Sequence, residues 1–442
     1  MDLKDFLTLA GKKVLIYDGS KGTMLQKFGM SGGECPELWN IEHSDVVKKI
    51  YSMYKEAGSD VIQTNTFQGN RLKLEQYSLA DKTYELNYEG ARLAREVMGK
   101  DGFVAASIGP IGKLFEPSGE LTFEKAYDLF KEQVRAVADG GVDLINFETF
   151  TDIAELRAAL LAAKEETDLP VICSVAFEAN GRTLMGTDPY TAAVVLKSLG
   201  ADMIGTNCSL GPEHLLDIVK AMSKAGGIPL AVKPNAGLPE TVDGNVVYKE
   251  TPERFSSLAE EYVKSGVRLI GGCCGTTPDF IKALRERIDG IEVPEIQDRA
   301  EKVISSGVKT LSVDGLEPAD IGFIDARKDT GLLEELKNAD MDAVADRAMD
   351  LSCDGYTAVY INIDGAEGDE KLLAQVANTL QSYVREPFIL ETCNAKALDY
   401  ALRLYKGKAG VIIPDTGKDN IEELLKTAGK YGSTVLDRGI LG

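Results

Sequence analysis

Eight short runs rich in valine and isoleucine, each followed by a longer stretch of helical period, constrain this 442-residue chain most. They are VLIYDGS (14–20), DVIQTNTF (60–67), FVAASIGP (103–110), DLINFETF (143–150), PVICSVAF (170–177), DMIGTNCS (202–209), PLAVKPNAG (229–237) and RLIGGCCG (268–275). The runs are continuously apolar rather than alternating, as strands buried on both faces must be. Parallel strands need crossovers, and the intervening segments carry helix signals. In TDIAELRAALLAAKEE, Asp152 can cap with Glu155 three residues on, in the manner of a capping box. Pro278 behind Thr277 fits a first-turn proline, and SDVVKKIYSMYKEAG has apolar residues at three- and four-residue spacing. Eight such units within about 290 residues match a (β/α)₈ TIM barrel. The rival, a doubly wound open sheet, normally has fewer strands, and no G-x-G-x-x-G turn follows the first run.

The rhythm breaks after the eighth unit. Residues 1–292 read as the barrel, 293–307 as a linker, and 308–442 as a smaller α/β domain. There KTLSV, GFIDA, TAVYINID, PFILE and GVIIP are strand candidates, with helical stretches such as DEKLLAQVANTLQSYV between several of them. The roughly 135 residues are well short of the ~250 of a full barrel, so this is a small α/β unit or a partial barrel with an edge to cover.

Composition excludes several classes of function. A formal charge of −21 argues against nucleic acid, whose phosphates select basic surfaces. No run of 18 apolar residues occurs, so no membrane helix is expected, and MDLKDFLTLAGKK lacks the apolar core of a secretory signal. Seven cysteines at irregular spacing suit a cytoplasmic protein with reduced thiols. The two histidines, His43 and His214, sit in polar stretches beside expected helix starts, where a solvated or capping role is the simpler reading. A metal site must then draw on thiolates or carboxylates, and a histidine-centred triad is excluded as a leading reading.

In a barrel of this kind, chemistry collects at the C-terminal ends of the strands. Cys208 follows the sixth run, and Cys273 and Cys274 follow the eighth, so three thiols converge on one rim. Neighbours on a regular strand point to opposite faces, but Gly271, Gly272 and Gly275 let the backbone leave the β region. Three thiolates with one open position match a catalytic zinc site; ordinary buried cysteines are the alternative. Three thiolates make zinc a poor activator of water, and the open position suits a substrate thiol. The reaction class is then alkyl transfer to a thiol.

The motifs DGSKGTML, TNTF, IGP, FETFTDIAEL, GTNCSLGP, KPNAGLP and GGCCGTTPDFI occur in order over about residues 10–290. Together they resemble the homocysteine S-methyltransferase family, and most closely the homocysteine-binding module of cobalamin-dependent methionine synthases. The resemblance implies Zn²⁺ on Cys208, Cys273 and Cys274, with homocysteine as substrate and methionine as product. It places Asp18 and Glu148 where the family holds the substrate's amino group, with Asn207 and Gly109 shaping the pocket. Charge-assisted hydrogen bonds from an ammonium to paired carboxylates make physical sense of this. The bland readings are a turn aspartate before glycine for Asp18 and a helix-start acid for Glu148. Two positions depart from the family: Lys21 in DGSKGT, where DGAMGT is usual, and Gln63 where ETNTF is usual.

GYTAVYINIDGAEGDE and ILETCNAKALDYALRLYKGKAGVI look similar to pieces of the pterin-binding domain that follows in methionine synthase. Asn362 stands for the asparagine of that domain, and Glu391 stands where an aspartate is expected. The chain is too short for a whole pterin barrel, which favours a packing or assembly role. Neither histidine lies in the D-x-H-x-x-G motif of a cobalamin module, so methylcobalamin or another corrinoid is expected in trans, on a separate protein. A sulfonium donor (S-methylmethionine or S-adenosylmethionine) is the alternative. So is a non-catalytic component that docks a corrinoid protein. A homo-oligomer is left open.

Overall fold

The computed structural model describes residues 3–116, 118–242, 245–298, 301–338, 340–366, 370–415 and 418–442. Residues 299–300 of the expected linker and 367–369 of the GAEGDE stretch lie outside them. The chain forms two compact units, Met1–Met185 with Ala201–Arg299, and Gly186–Gly200 with Ala300–Gly442. The second unit thus takes in a segment that a linear boundary at 293–307 leaves with the first.

The first unit is a (β/α)₈ barrel. Its strands are β1 (Leu15–Ile16), β2 (Val61–Gln63), β3 (Phe103–Ile108), β4 (Leu144–Phe150), β5 (Val171–Val175), β6 (Met203–Asn207) and β7 (Leu230–Lys233). After the hairpin β8 (Pro239–Val242) and β9 (Asn245–Tyr248), β10 (Val267–Ile270) completes the eight. All eight are parallel, in the order β1-β10-β7-β6-β5-β4-β3-β2. A bridge between Tyr17 and Val61, with Asp60 N donating to Ile16 O at 2.8 Å and Asp18 N to Val61 O at 3.1 Å, closes β1 onto β2. Each expected strand is present.

Side chains two apart on a strand share a face, so the barrel interior builds in layers. The lower layer is apolar: Leu15, Val61, Phe103, Ala105, Leu144, Ile172, Met203, Ala231 and Leu269 pack together. The helix Leu3–Ala10 plugs its base, with Phe6 edge-on to Phe103 at 5.3 Å. Further along the strands the chemistry changes, two residues on to Gln63, Ser107 and Lys233 and four residues on to Glu148 and Asn207, all buried. The core therefore turns polar toward its C-terminal rim.

Helix Ile153–Glu166 is capped by Asp152, whose carboxylate accepts from Ala154 N at 2.8 Å. Glu155 does not complete a capping box. It reaches across to accept from Ile111 N at 2.6 Å instead, because burial leaves that amide no solvent partner. Helix Pro278–Ile288 begins at the expected proline, although Thr277 makes no side-chain cap bond.

In the second unit, β13 (Ile321–Asp325), β14 (Ala358–Asn362), β15 (Phe388–Glu391), β16 (Gly410–Ile412) and β17 (Thr434–Leu436) form a parallel sheet in consecutive order. KTLSV is not part of it. It supplies β12 (Thr310–Ser312), which pairs antiparallel with β11 (Val303–Ser305). Ile304 of that hairpin packs with Ile321, Tyr360, Ile389 and Ile412 of the sheet. Helix Pro189–Ser198 belongs to this unit: Thr310 Oγ1 donates to Thr191 Oγ1 at 2.9 Å, and Thr187 Oγ1 to Gly307 O at 2.6 Å. Among the described residues no helix is long and apolar enough to cross a membrane.

Candidate active site

Three sulfurs meet at the rim of the barrel. Cys208 leaves β6 with φ 63°, and Ser209 follows at φ 56°, left-handed conformations that are uncommon away from glycine. Cys208 N donates to Lys233 O at 3.1 Å, which ties this strained exit to the end of β7. Cys273 and Cys274 lie beyond the end of β10, in a turn stitched to the PNAG segment. Cys273 N donates to Pro234 O at 2.8 Å, Cys274 N to Asn235 Oδ1 at 3.2 Å, and Ala236 N to Cys274 O at 2.9 Å.

The glycines act differently from the sequence expectation. Of the three, Gly275 has a left-handed backbone (φ +80°). Gly271 and Gly272 are needed for close approach: a Cβ would fall 2.8 Å from Asp18 O in one case and 2.6 Å from Thr276 Cβ in the other. Alternation along a strand is no obstacle, because the strand has already ended.

Cys208 Sγ and Cys274 Sγ are 3.7 Å apart, and all three sulfurs lie within 4.8 Å of one another. Tetrahedral zinc with Zn–S of about 2.3 Å requires sulfurs about 3.8 Å apart, so the donor set fits that ion. Among the described residues no fourth Cys, His, Asp or Glu joins the group, which leaves one coordination position for a substrate. Hydrogen bonds from Cys273 (lowering) and Cys274 (raising), then burial, leave Cys208 pushed up to about 11. Cys274 is pushed up to about 12, with the bond to Cys208 pulling it down and the one to Cys273 pushing it up. Charge on one thiol raises the next: Cys274 acts so on Cys208, Cys208 on Cys273 and Cys273 on Cys274.

Below the sulfurs lies a polar layer. Asp18 Oδ2 accepts from Lys21 Nζ in a close ion pair and from Gln63 N at 2.9 Å. Glu148 Oε1 accepts from Gln63 Nε2 at 2.7 Å and closely from Ser107 Oγ; its Oε2 pairs with Lys233 Nζ. Lys233 also donates to Gln63 Oε1 at 2.9 Å and lies 4.9 Å from the Tyr17 ring centroid. Asn207 links this layer to the thiols. It accepts from Thr149 N and donates to Thr149 Oγ1, each at 2.8 Å, and its amide also reaches Cys273 Sγ at 3.8 Å. Burial pushes the Asp18 carboxyl above its ordinary range and the Lys21 ammonium below its own; their ion pair opposes both shifts. Asp18 Oδ1 and Tyr17 Oη are buried without a hydrogen-bond partner among the described residues.

The structure thus brings together Asp18, Glu148, Asn207, Cys208, Cys273 and Cys274. The Gly109 amide donates to Phe67 O at 2.9 Å, and a Cβ there would strike the Phe67 ring at 2.6 Å. Sequence reasoning missed Lys233, Ser107 and Tyr248. The first two could have been found by counting two residues beyond the core positions Ala231 and Ala105. Tyr248 carried no such signal. It arrives on the β8–β9 hairpin to lie against Gly275, and burial, then Cys274, push its phenol up. His43 lies tilted against Trp39, ring centroids 4.2 Å apart, without a side-chain cap bond, and His214 lies in the first turn of helix Pro212–Met222.

In the second unit, Glu391 is taken up by Arg438 (2.9 Å), Arg327 (3.3 Å) and Tyr360 Oη (2.9 Å). Asn362 Oδ1 accepts from Asp364 N at 2.9 Å.

Fold and site define a TIM-barrel protein with a three-thiol cluster above buried paired carboxylates. Comparison with known proteins gives the family. The homocysteine S-methyltransferase model matches residues 15–288, more than half of the chain, and the chain belongs to that family. The methionine synthase of Mycobacterium tuberculosis is 30% identical over 433 residues, covering 92% of this chain and 36% of that protein. The methionine synthase of Mycobacterium leprae is 34% identical over 298 residues, covering 63% of this chain and 24% of the relative. The chain spans about a third or less of the length of these relatives. In fold, the metallated homocysteine methyltransferase MmuM of Escherichia coli superposes with a TM-score of 0.55 at 21% identity, covering 64% of this chain and 99% of that one.

Proposed function

We propose that residues 1–292 form a zinc-dependent methyltransferase barrel that converts homocysteine to methionine, with a methylcorrinoid on a separate protein as donor. The observation that carries this reading is the convergence of Cys208, Cys273 and Cys274 to zinc-binding separations directly above the carboxylates. Zn²⁺ held there supplies Lewis-acid charge that lowers the pKa of a bound thiol toward neutrality. Asp18 and Glu148 receive the substrate's ammonium; the partnerless Asp18 Oδ1 is an acceptor suited to it. Asn207 holds Cys273 in register with Thr149, beside Glu148, so that thiol and head group are positioned together. The thiolate attacks the methyl carbon in line at the barrel mouth, and the bond from that carbon to its carrier breaks; orientation supplies much of the rate.

The likeness of both parts of the chain to cobalamin-dependent methionine synthase supports the corrinoid donor. Residues 308–442, joined by the 293–307 linker, serve as a pterin-binding-like unit for packing or assembly, including self-association. Seven free cysteines suit a reducing cytoplasm. The test follows the visible spectrum of methylcobalamin mixed with zinc-loaded protein and homocysteine. Homocysteine-dependent demethylation, abolished by Cys208→Ala, is expected. Bound zinc without demethylation turns the reading to a sulfonium donor or a required partner protein, and absence of zinc binding refutes the mechanism.

A further inference from the structure

The Asp18–Lys21 pair holds more than the amino-group contact uses. Lys21 opens the helix Lys21–Lys27, and Ser20 caps that helix by accepting from Thr23 N at 3.1 Å, which fixes residue 21 beside Asp18. Its Nζ donates to Asp18 Oδ2 and weakly to Gly19 O at 3.4 Å. An ammonium has three donors, so one is unused. Lys233 is different. Glu148 and Gln63 accept two of its hydrogen bonds, the Tyr17 ring centroid lies 4.9 Å from its Nζ against 5.7 Å for Tyr54 and Lys21, and its side chain is 2% exposed against 13% for Lys21. The pair Asp18–Lys21 therefore presents an acceptor, Oδ1, and a donor, Nζ, side by side.

An α-amino acid carries its ammonium and carboxylate on one carbon, the complementary pattern. We propose that Lys21 binds the substrate's α-carboxylate while Asp18 takes its ammonium, so that this ion pair selects zwitterionic amino-acid thiols. Charge balance argues the same way. Asp18 and Lys21 compensate each other, as do Glu148 and Lys233. A thiol amine lacking the carboxylate would bring an uncompensated cation into this buried layer, whereas a zwitterion brings no net charge. Lys21 is then a specificity-determining residue, at a position where the sequence departs from its family.

The inference rests on the homocysteine reading, and the experiment separates the two. Binding of homocysteine and of 3-aminopropane-1-thiol, its analogue without the carboxylate, is measured by titration calorimetry on the zinc-loaded full chain. The wild type is expected to prefer homocysteine by about tenfold or more, the worth of one charge-assisted hydrogen bond. Lys21→Gln should erase that preference by weakening homocysteine, while the amine thiol binds as well as before or better. Lys21→Arg should retain the preference. Equal weakening of both thiols by Lys21→Gln shows a structural role, and an unchanged ratio shows no contact; either result overturns the assignment while leaving homocysteine as substrate. A wild type that binds neither thiol removes the underlying reading and this inference with it.

Discussion

Gly275→Ala separates the two reasons a glycine can stand beside paired cysteines. Its φ of +80° alone makes alanine unfavourable by about 1–2 kcal/mol. The new Cβ would also lie 2.6 Å from Tyr248 Cδ2. Ordinary contact requires about 3.5–4 Å, so the ring or the turn must move by roughly 1 Å, an overpacking cost of about 1–3 kcal/mol. The expected total is about 2–5 kcal/mol. Gly266 supplies the control: φ is +97°, but the nearest atom to its Cβ would be Leu230 Cδ1 at 4.0 Å, so Gly266→Ala should cost about 1–2 kcal/mol. The assay is urea unfolding followed by tryptophan fluorescence. Trp39 is the single tryptophan, lies buried in the first unit, and therefore reports on the barrel. Because the turn holds Cys274, part of the strain should appear as weaker zinc binding in chelator competition, tenfold for each ~1.4 kcal/mol transferred. Equal destabilisation by the two substitutions, within about 0.5 kcal/mol, with unchanged zinc affinity, would refute the steric account.

Two further outcomes are expected. Glu155 is buried, and burial pushes its carboxyl from 4.5 up to about 8 against the pull of the Ile111 amide. The folded chain keeps a proton that the unfolded chain loses, so this contribution is present in full below about pH 4.5 and lost as pH rises through about 8. Glu155→Gln cannot titrate; its stability relative to wild type should rise steadily between those values, and a difference that stays flat across pH would sink the assignment. Lys233→Met leaves Glu148 charged and buried without its cation, at a cost of about 3–5 kcal/mol in the same unfolding assay. Adding Glu148→Gln should recover most of that loss, and failure to do so would show that Lys233 acts through packing on Tyr17 instead.

The barrel was legible because burial on both faces writes itself into a strand as an unbroken apolar run. Eight such runs with helical spacers leave few alternatives. The position of the thiols followed from the same pattern, since Cys208, Cys273 and Cys274 stand where strands end. The sequence alone therefore determined the architecture and the strand ends at which the three thiols meet.

Tertiary structure decided what each polar residue faces. Lys233 is an ordinary lysine in a linear reading; folding sets it against Glu148, which is 85 positions away in sequence. Tyr248 reaches Gly275 only through a hairpin inserted after β7, and Gly186–Gly200 joins the second unit although it lies between two strands of the barrel. KTLSV has strand character, yet its partner and direction came from packing on the second sheet. Apolar periodicity is local, repeated and summed over many residues, so it survives in the sequence. An ion pair or a close approach depends on a few atoms brought together from distant segments, and those meet only once the barrel has closed.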